Sequence, residues 1–231
     1  MPCWSMHLSI AKEVNKKLKL DEDEFLFGNL LPDIDYGSTV TRHDTHYYGT
    51  KKCPGCNSEF LPDIDKFMEV YKDKLNNTLI IGYYAHLLTD YYYNKYVYTI
   101  KWVKDNKENV VGVKLNNNKI IKTNEKEILK HFKHHDFCLY GKYLYNNNRV
   151  FVPKYNLNIV NDLKYLKGKF YSVDDVFNRF KYLNSGFVNI NKYSFKEKVF
   201  GIHYKLFDKS ELDILYKECV KFVLDNIKKN I

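Results

Sequence analysis

His86 and Asp90 are the residues whose types and spacing point first to chemistry. They lie four positions apart in Gly82-Tyr83-Tyr84-Ala85-His86-Leu87-Leu88-Thr89-Asp90. On a helix, side chains at that spacing project from one face with Cβ atoms roughly 5–6 Å apart. Leu79 and Tyr83 extend the same stripe upstream, so the pair looks inward. A buried carboxylate without a partner costs several kcal/mol or is forced neutral. A metal ion, an Asp–His hydrogen bond or a lysine partner would each compensate it.

Other ligand-type residues gather before residue 50. His7, His43 and His46 account for three of the eight histidines, and Asp33, Asp35 and Asp44 stand close by. Imidazole and carboxylate oxygen together suit zinc or a similar divalent ion. A second group lies further on, in His131-Phe132-Lys133-His134-His135-Asp136. His131 and His135 share the i, i+4 spacing that lets two imidazoles reach one metal, although the surrounding lysines equally suit an exposed polar face. Cys53-Pro54-Gly55-Cys56 forms one C-x-x-C knuckle with no second pair to complete a zinc ribbon; it reads as a tight loop or a metal ligand pair with an unknown partner.

Helices must position most of these groups. The spacing predicts a first helix from an N-cap at Ser5 to about Leu18, with Leu8, Ala11, Val14 and Leu18 as its apolar stripe and His7 beside it. Asp21 and Glu24 open a second helix that must stop near Pro32, leaving Asp33 and Asp35 in a loop. Pro62 and the Asp63/Asp65 pair open an amphipathic helix through Leu75. Thr78 caps the central helix, which runs through His86 and Asp90 toward Tyr98. Alternation in Val111, Val113 and Leu115, then Asn116-Asn117-Asn118, predicts a short β-hairpin insertion. Helices follow over about 125–145, after Ser172 and over about 209–228. No Pro/Gly/Ser-rich linker interrupts the chain, so residues 1–231 read as one all-α, multi-helix domain.

Composition restricts the partners. Hydrophobic residues make up 45% and Tyr 21 and Phe 15 supply an aromatic interior, which excludes wholesale disorder. The net charge of +9 suits an anionic partner such as a phosphate ester, a lipid surface or nucleic acid, but the lysines are scattered and form no basic block. No secretory signal and no run of about 18 apolar residues is visible, and five cysteines fit a reducing compartment, so a cytoplasmic location is expected.

The pieces also occur in a telling order: His7, then Gly28-Asn29-Leu30-Leu31-Pro32-Asp33, then Thr45-His46-Tyr47, then Gly82 to Asp90. Over residues 1–95 this order resembles the zinc-dependent phospholipase C family, whose fold is related to that of the single-strand-specific zinc nucleases. The resemblance implies an all-α bundle with zinc ions held between helices. It implies a first ion on Asp33, His46, His86 and Asp90, with Asp90 bridging to a second ion that His7 also holds. His43 is the rival of His46, which matches the family's Thr-His-aromatic context. Secreted members use a processed N-terminal Trp as a ligand, whereas Trp4 here is internal. Those members hold a further zinc with a His soon after the H-x-x-x-D helix; here no histidine lies between His86 and His131, and His131, His135 and Asp136 are the candidates to replace it. Two zinc ions are the expectation.

Such a pair of ions clamps a phosphate ester and activates a water for in-line attack on phosphorus. Asp35 and Asp44, near the ligands in sequence, are the candidate general bases. The first expectation is therefore a metal-dependent phosphoesterase, with phospholipid among its candidate substrates. The second is a nuclease-type phosphodiesterase, which needs a base-stacking pocket; Tyr91-Tyr92-Tyr93 would offer one, although helix packing accounts for that run better. The third is a non-catalytic metal-binding protein that retains the fold.

Overall fold

The computed structural model describes residues 2–34, 41–54, 56, 59–154, 173–182 and 187–231. It is mainly helical, with two small antiparallel sheets. The central helix, α5 (Thr78–Lys95), is buried along almost its whole length. Around it pack α1 (Trp4–Leu18), α2 (Glu22–Leu30), α4 (Ile64–Tyr71) and the C-terminal helix over Lys209–Asn230. A short α3 (Arg42–Thr45) follows a 3-10 turn over Leu31–Asp33. Then α6 (Glu125–Ile128) and α7 (His134–Asn146), joined by a π-helical turn over Leu129–Lys133, bring the chain back against α1. Beyond them lie α8 (Val173–Tyr182), α9 (Val188–Asn191), α10 (Phe195–Phe200) and the C-terminal helix, α11.

Two glycines decide how closely α2 and α5 approach. A Cβ on Gly28 would stand 2.1 Å from the Leu79 carbonyl oxygen, and one on Gly82 would stand 2.1 Å from that of Phe25. The helices therefore touch backbone to backbone, which no larger residue permits at either position. This contact brings the C-terminal turn of α2 alongside the middle of α5, where His86 lies.

Several boundaries differ from the sequence expectation. Ser5 is not the N-cap of α1; Cys3 holds that position without a side-chain bond, and Ser5 Oγ instead donates to Asn191 Oδ1 at 2.7 Å. Asn77 rather than Thr78 caps α5, because its side chain accepts from the Ile80 N–H. Pro62 ends a strand, and Asp63 is the N-cap of α4, which closes at Tyr71 before a 3-10 turn. The strand pair β1 (Tyr48–Lys52) and β2 (Phe60–Pro62) was not expected; it closes the segment that carries the cysteine knuckle. The expected hairpin has a third strand: Trp102–Lys104 pairs with Val110–Lys114, which pairs with Ile120–Lys122. Among the described residues, no helix is long and apolar enough to cross a membrane.

Candidate metal centre

Four separate segments deliver five buried ligand-type side chains to one place. His7 comes from the first turns of α1, Asp33 from the 3-10 turn that Pro32 enforces, His46 from the end of α3, and His86 and Asp90 from successive turns of α5. His46, His86 and Asp90 are fully buried, His7 is 1% exposed and Asp33 5% exposed. Two ligand groups result, His7–His86–Asp90 and Asp33–His46–His86, each with its donor atoms mutually within 4.8 Å.

The distances within the cluster are those of donors around a common point. His46 Nε2 lies 3.3 Å from Asp33 Oδ1, 3.4 Å from Asp90 Oδ2 and 3.3 Å from His86 Nε2. His86 Nε2 lies 3.6 Å from Asp90 Oδ2 and 4.0 Å from Asp33 Oδ1. Donors about 2.0–2.1 Å from a tetrahedral zinc are separated by about 3.3–3.4 Å, so the set needs only small adjustment. The other oxygen of Asp90, Oδ1, faces His7 Nε2 at 3.2 Å. Both carboxylate oxygens of Asp90 and both ring nitrogens of His7 lack hydrogen bonds of acceptable geometry despite complete burial. Such orphaned groups are costly unless something compensates them.

Second contacts aim the imidazoles. His86 Nδ1 lies 2.7 Å from the Asn29 carbonyl oxygen, a contact made available by the Gly28–Gly82 approach. With Nδ1 protonated and donating there, Nε2 keeps its lone pair for the cluster. His46 Nδ1 meets the Arg42 carbonyl at 3.1 Å and Thr45 Oγ1 at 2.9 Å, which likewise directs Nε2 inward. This is the arrangement that fixes tautomer and orientation at metal-bound histidines. Tyr83 OH donates to the Thr45 carbonyl and holds the α3 end against α5.

Electrostatics follow from the burial. Burial, reinforced by His86, pulls the pKa of His7 down to about 4, leaving a neutral imidazole at pH 7. Burial also lowers His46. Burial opposes the proton on His86, but Asp33 and Asp90 outweigh it and raise its pKa. Burial opposes ionisation of Asp33 and Asp90 as well; His86 and Arg42 keep Asp33 charged, and His7 and His86 do so for Asp90, both well below the usual carboxylate range. His7 and His46 are therefore neutral imidazoles and Asp33 and Asp90 ionised carboxylates, the forms that bind a divalent ion, whereas the two carboxylates favour a proton on His86 that a bound ion would displace.

Two residues that sequence reasoning did not assign to the site touch Asp33. Trp4 donates its indole N–H to Asp33 Oδ2 at 2.6 Å, and Arg42 Nη1 donates to Asp33 Oδ1 at 2.6 Å. Trp4 stands three residues before His7 and Arg42 four before His46, so helical spacing from the ligand-type histidines is the signal that finds them. Trp4, Asp33 and Arg42 also line a cavity of about 470 Å3, with Lys142 and Phe187 on its wall.

The remaining expected site residues lie elsewhere. His43 is exposed and packs edge-on to Tyr48, so of the rival pair only His46 joins the cluster. Asp44 is not placed as a general base: its exposed carboxylate accepts from the Thr41 hydroxyl at 2.6 Å and from the Thr41 N–H in a capping box. Asp35 lies outside the described residues. His131 and His135 do not reach the cluster. His131 is exposed and pairs with Glu127 at 3.2 Å, and His135 is half-exposed with Nδ1 3.4 Å from Asp136. Asp136 itself is buried and accepts the backbone N–H groups of Lys205, Leu206 and Phe207. Cys53 and Cys56 are buried, and no third ligand-type side chain joins them among the described residues. The Tyr91–Tyr93 run packs rather than opening a stacking platform: Tyr91 and Tyr92 lie on Phe222, and Tyr93 lies against Phe137.

Comparison with protein-family descriptions, curated proteins and solved structures finds no match to this chain.

Proposed function

We propose that the cluster is a zinc centre of a phosphate-ester hydrolase, with Asp33, His46, His86 and Asp90 holding one ion and His7 sharing Asp90 for a second. The observation that carries this reading is Asp90: a fully buried carboxylate with both oxygens short of hydrogen bonds, one facing His46 and His86 and the other facing His7. The ordered motifs that resemble the zinc-dependent phospholipase C family support the same assignment. A divalent ion there supplies Lewis acidity, polarising a phosphoryl oxygen and making a water acidic. The chain's own contribution is to hold the donors in a dry pocket and to present the cavity beside Asp33. Trp4 and Phe187 give that cavity an apolar wall for the esterified group, and the cations at its edge, Arg42 and Lys142, are held by Asp33 and Glu197.

A second reading, a metal-free polar core, is favoured by one contact. The Arg42 guanidinium already neutralises Asp33, whose carboxylate in turn raises the Arg42 pKa against the opposing effect of burial. Metal analysis of the purified protein separates the two. At least one tightly held zinc per chain, lost in His86→Ala, supports the metal centre; no bound metal and no gain in thermal stability on adding zinc overturns it. Hydrolysis of phospholipid, nucleotide and generic phosphodiester substrates, abolished by the same substitution, is the expected activity.

A further inference from the structure

The cavity beside Asp33 has a second chemical feature on its wall. Cys3 and Cys138 both line it, and neither is fully buried. They are 135 positions apart in the chain, yet the fold sets Cys3 against the stretch of α7 that carries Cys138, on the wall of one cavity. The approach depends on Gly141, one turn after Cys138 on α7: a Cβ there would stand 2.3 Å from Cys3 Sγ. Cys3 Sγ also lies 3.5 Å from the Phe137 carbonyl oxygen. The exposed His134, one turn before Cys138 and on the same cavity wall, places Nε2 3.4 Å from Cys138 Sγ. Two thiols on one cavity wall, an adjoining imidazole and an open cavity together make a reactive dithiol rather than two inert core cysteines.

We propose that Cys3 and Cys138 are a thiol-oxidation site, closed to an intramolecular disulfide by a small soluble disulfide such as oxidised glutathione. Cys3 attacks one sulfur of the small disulfide, forming a mixed disulfide and releasing one small thiol. Cys138 gives its proton to His134 and attacks Cys3 Sγ, releasing the second thiol, which takes the proton. Two protein thiols are oxidised and one small disulfide is reduced to two thiols. The new bond ties the start of α1 to α7, next to the Trp4 indole that donates to Asp33. Cys53 and Cys56 are close in the chain as well, but both are buried and neither lines the cavity beside Asp33, so they react later.

The full chain is incubated with oxidised glutathione at neutral pH, free thiols are alkylated, and the protein is digested without reduction for mass spectrometry. A linked peptide joining Cys3 to Cys138, formed before any Cys53–Cys56 link, is expected. Cys138→Ser leaves glutathione trapped on Cys3, Cys3→Ser forms no link, and His134→Ala slows ring closure without preventing the mixed disulfide. His86→Ala keeps the link, so loss of the zinc reading leaves this one standing. Quantitative alkylation of both Cys3 and Cys138 in the folded wild-type protein after glutathione treatment overturns the proposal. So does a product whose sole link joins Cys53 to Cys56, and both outcomes are read on the wild type even where a serine variant does not fold.

Discussion

Two histidine-rich regions of this protein look alike as strings of letters and differ completely as structures. One is the set His7, Asp33, His46, His86 and Asp90; the other is the run His131 to Asp136. Both combine imidazoles and carboxylates at helical spacing. In the first, the side chains come from four segments, are buried, and leave Asp90 and His7 without hydrogen bonds. In the second, every group already has a partner: His131 has Glu127, His135 has solvent and Asp136, and Asp136 has the backbone N–H groups of Lys205, Leu206 and Phe207. Ligand-type residues make a candidate site when convergence leaves their polar atoms unsatisfied, and they make ordinary structure when neighbours already satisfy them.

Substitutions test this contrast most sharply at its extremes. His86→Ala removes a donor common to both ligand groups and is expected to abolish zinc binding and hydrolysis together, measured by metal stoichiometry and turnover. His131→Ala and His135→Ala are expected to keep both, with stability changed by no more than about 0.5 kcal/mol. Metal lost from either of these two would erase the distinction. Between the extremes, His7→Ala is expected to lower the bound zinc by one ion while the set around His46 keeps the other.

The next effect concerns architecture rather than ligands. Gly82→Ala forces a methyl group against the Phe25 carbonyl and is expected to cost about 1–3 kcal/mol in urea unfolding. It is also expected to shift α2 away from His86 Nδ1, so that, on the proposed function, zinc affinity would fall with stability. Asp136→Ala strands three backbone donors and is expected to cost roughly 1–3 kcal/mol, with zinc content unchanged. A drop in zinc content there would move the second region into the site.

The smallest effect is read by pH on the metal-free protein. His7 holds its proton to about pH 4 when folded and to about its ordinary value of 6.5 when unfolded. Between those values the unfolded chain binds more protons, so stability falls as pH drops from 6.5 toward 4. His86 has the opposite sign: its pKa is raised above 6.5, so its contribution is full below 6.5 and is lost as pH rises through the raised value. Asp33 and Asp90 contribute above the ordinary carboxylate value of 3.8 and lose that contribution below it. Metal-free stability is therefore expected to peak near pH 6.5, and zinc is expected to extend the plateau to higher pH. A flat metal-free profile between pH 4 and 6.5 would mean that His7 is solvated and not part of a buried cluster.

Much of this protein is already written in its order of residues, because the relevant forces are local. The i, i+4 spacing puts His86 and Asp90 on one face, Pro32 ends α2 just before Asp33, and Asp21 caps the helix that follows it. Burial of α5 follows from its near-continuous apolar sequence. Spacing says which side chains share a face but not whether that face meets the core or water, which is why His131 and His135 read as ligands and are not placed as such. Only the folded chain decided that Gly28 would meet the Leu79 backbone and Gly82 that of Phe25, that the Asn29 carbonyl would orient His86, and that Trp4 and Arg42 would both reach Asp33. Those contacts join residues tens of positions apart, and their energy exists only once packing has excluded water from between them.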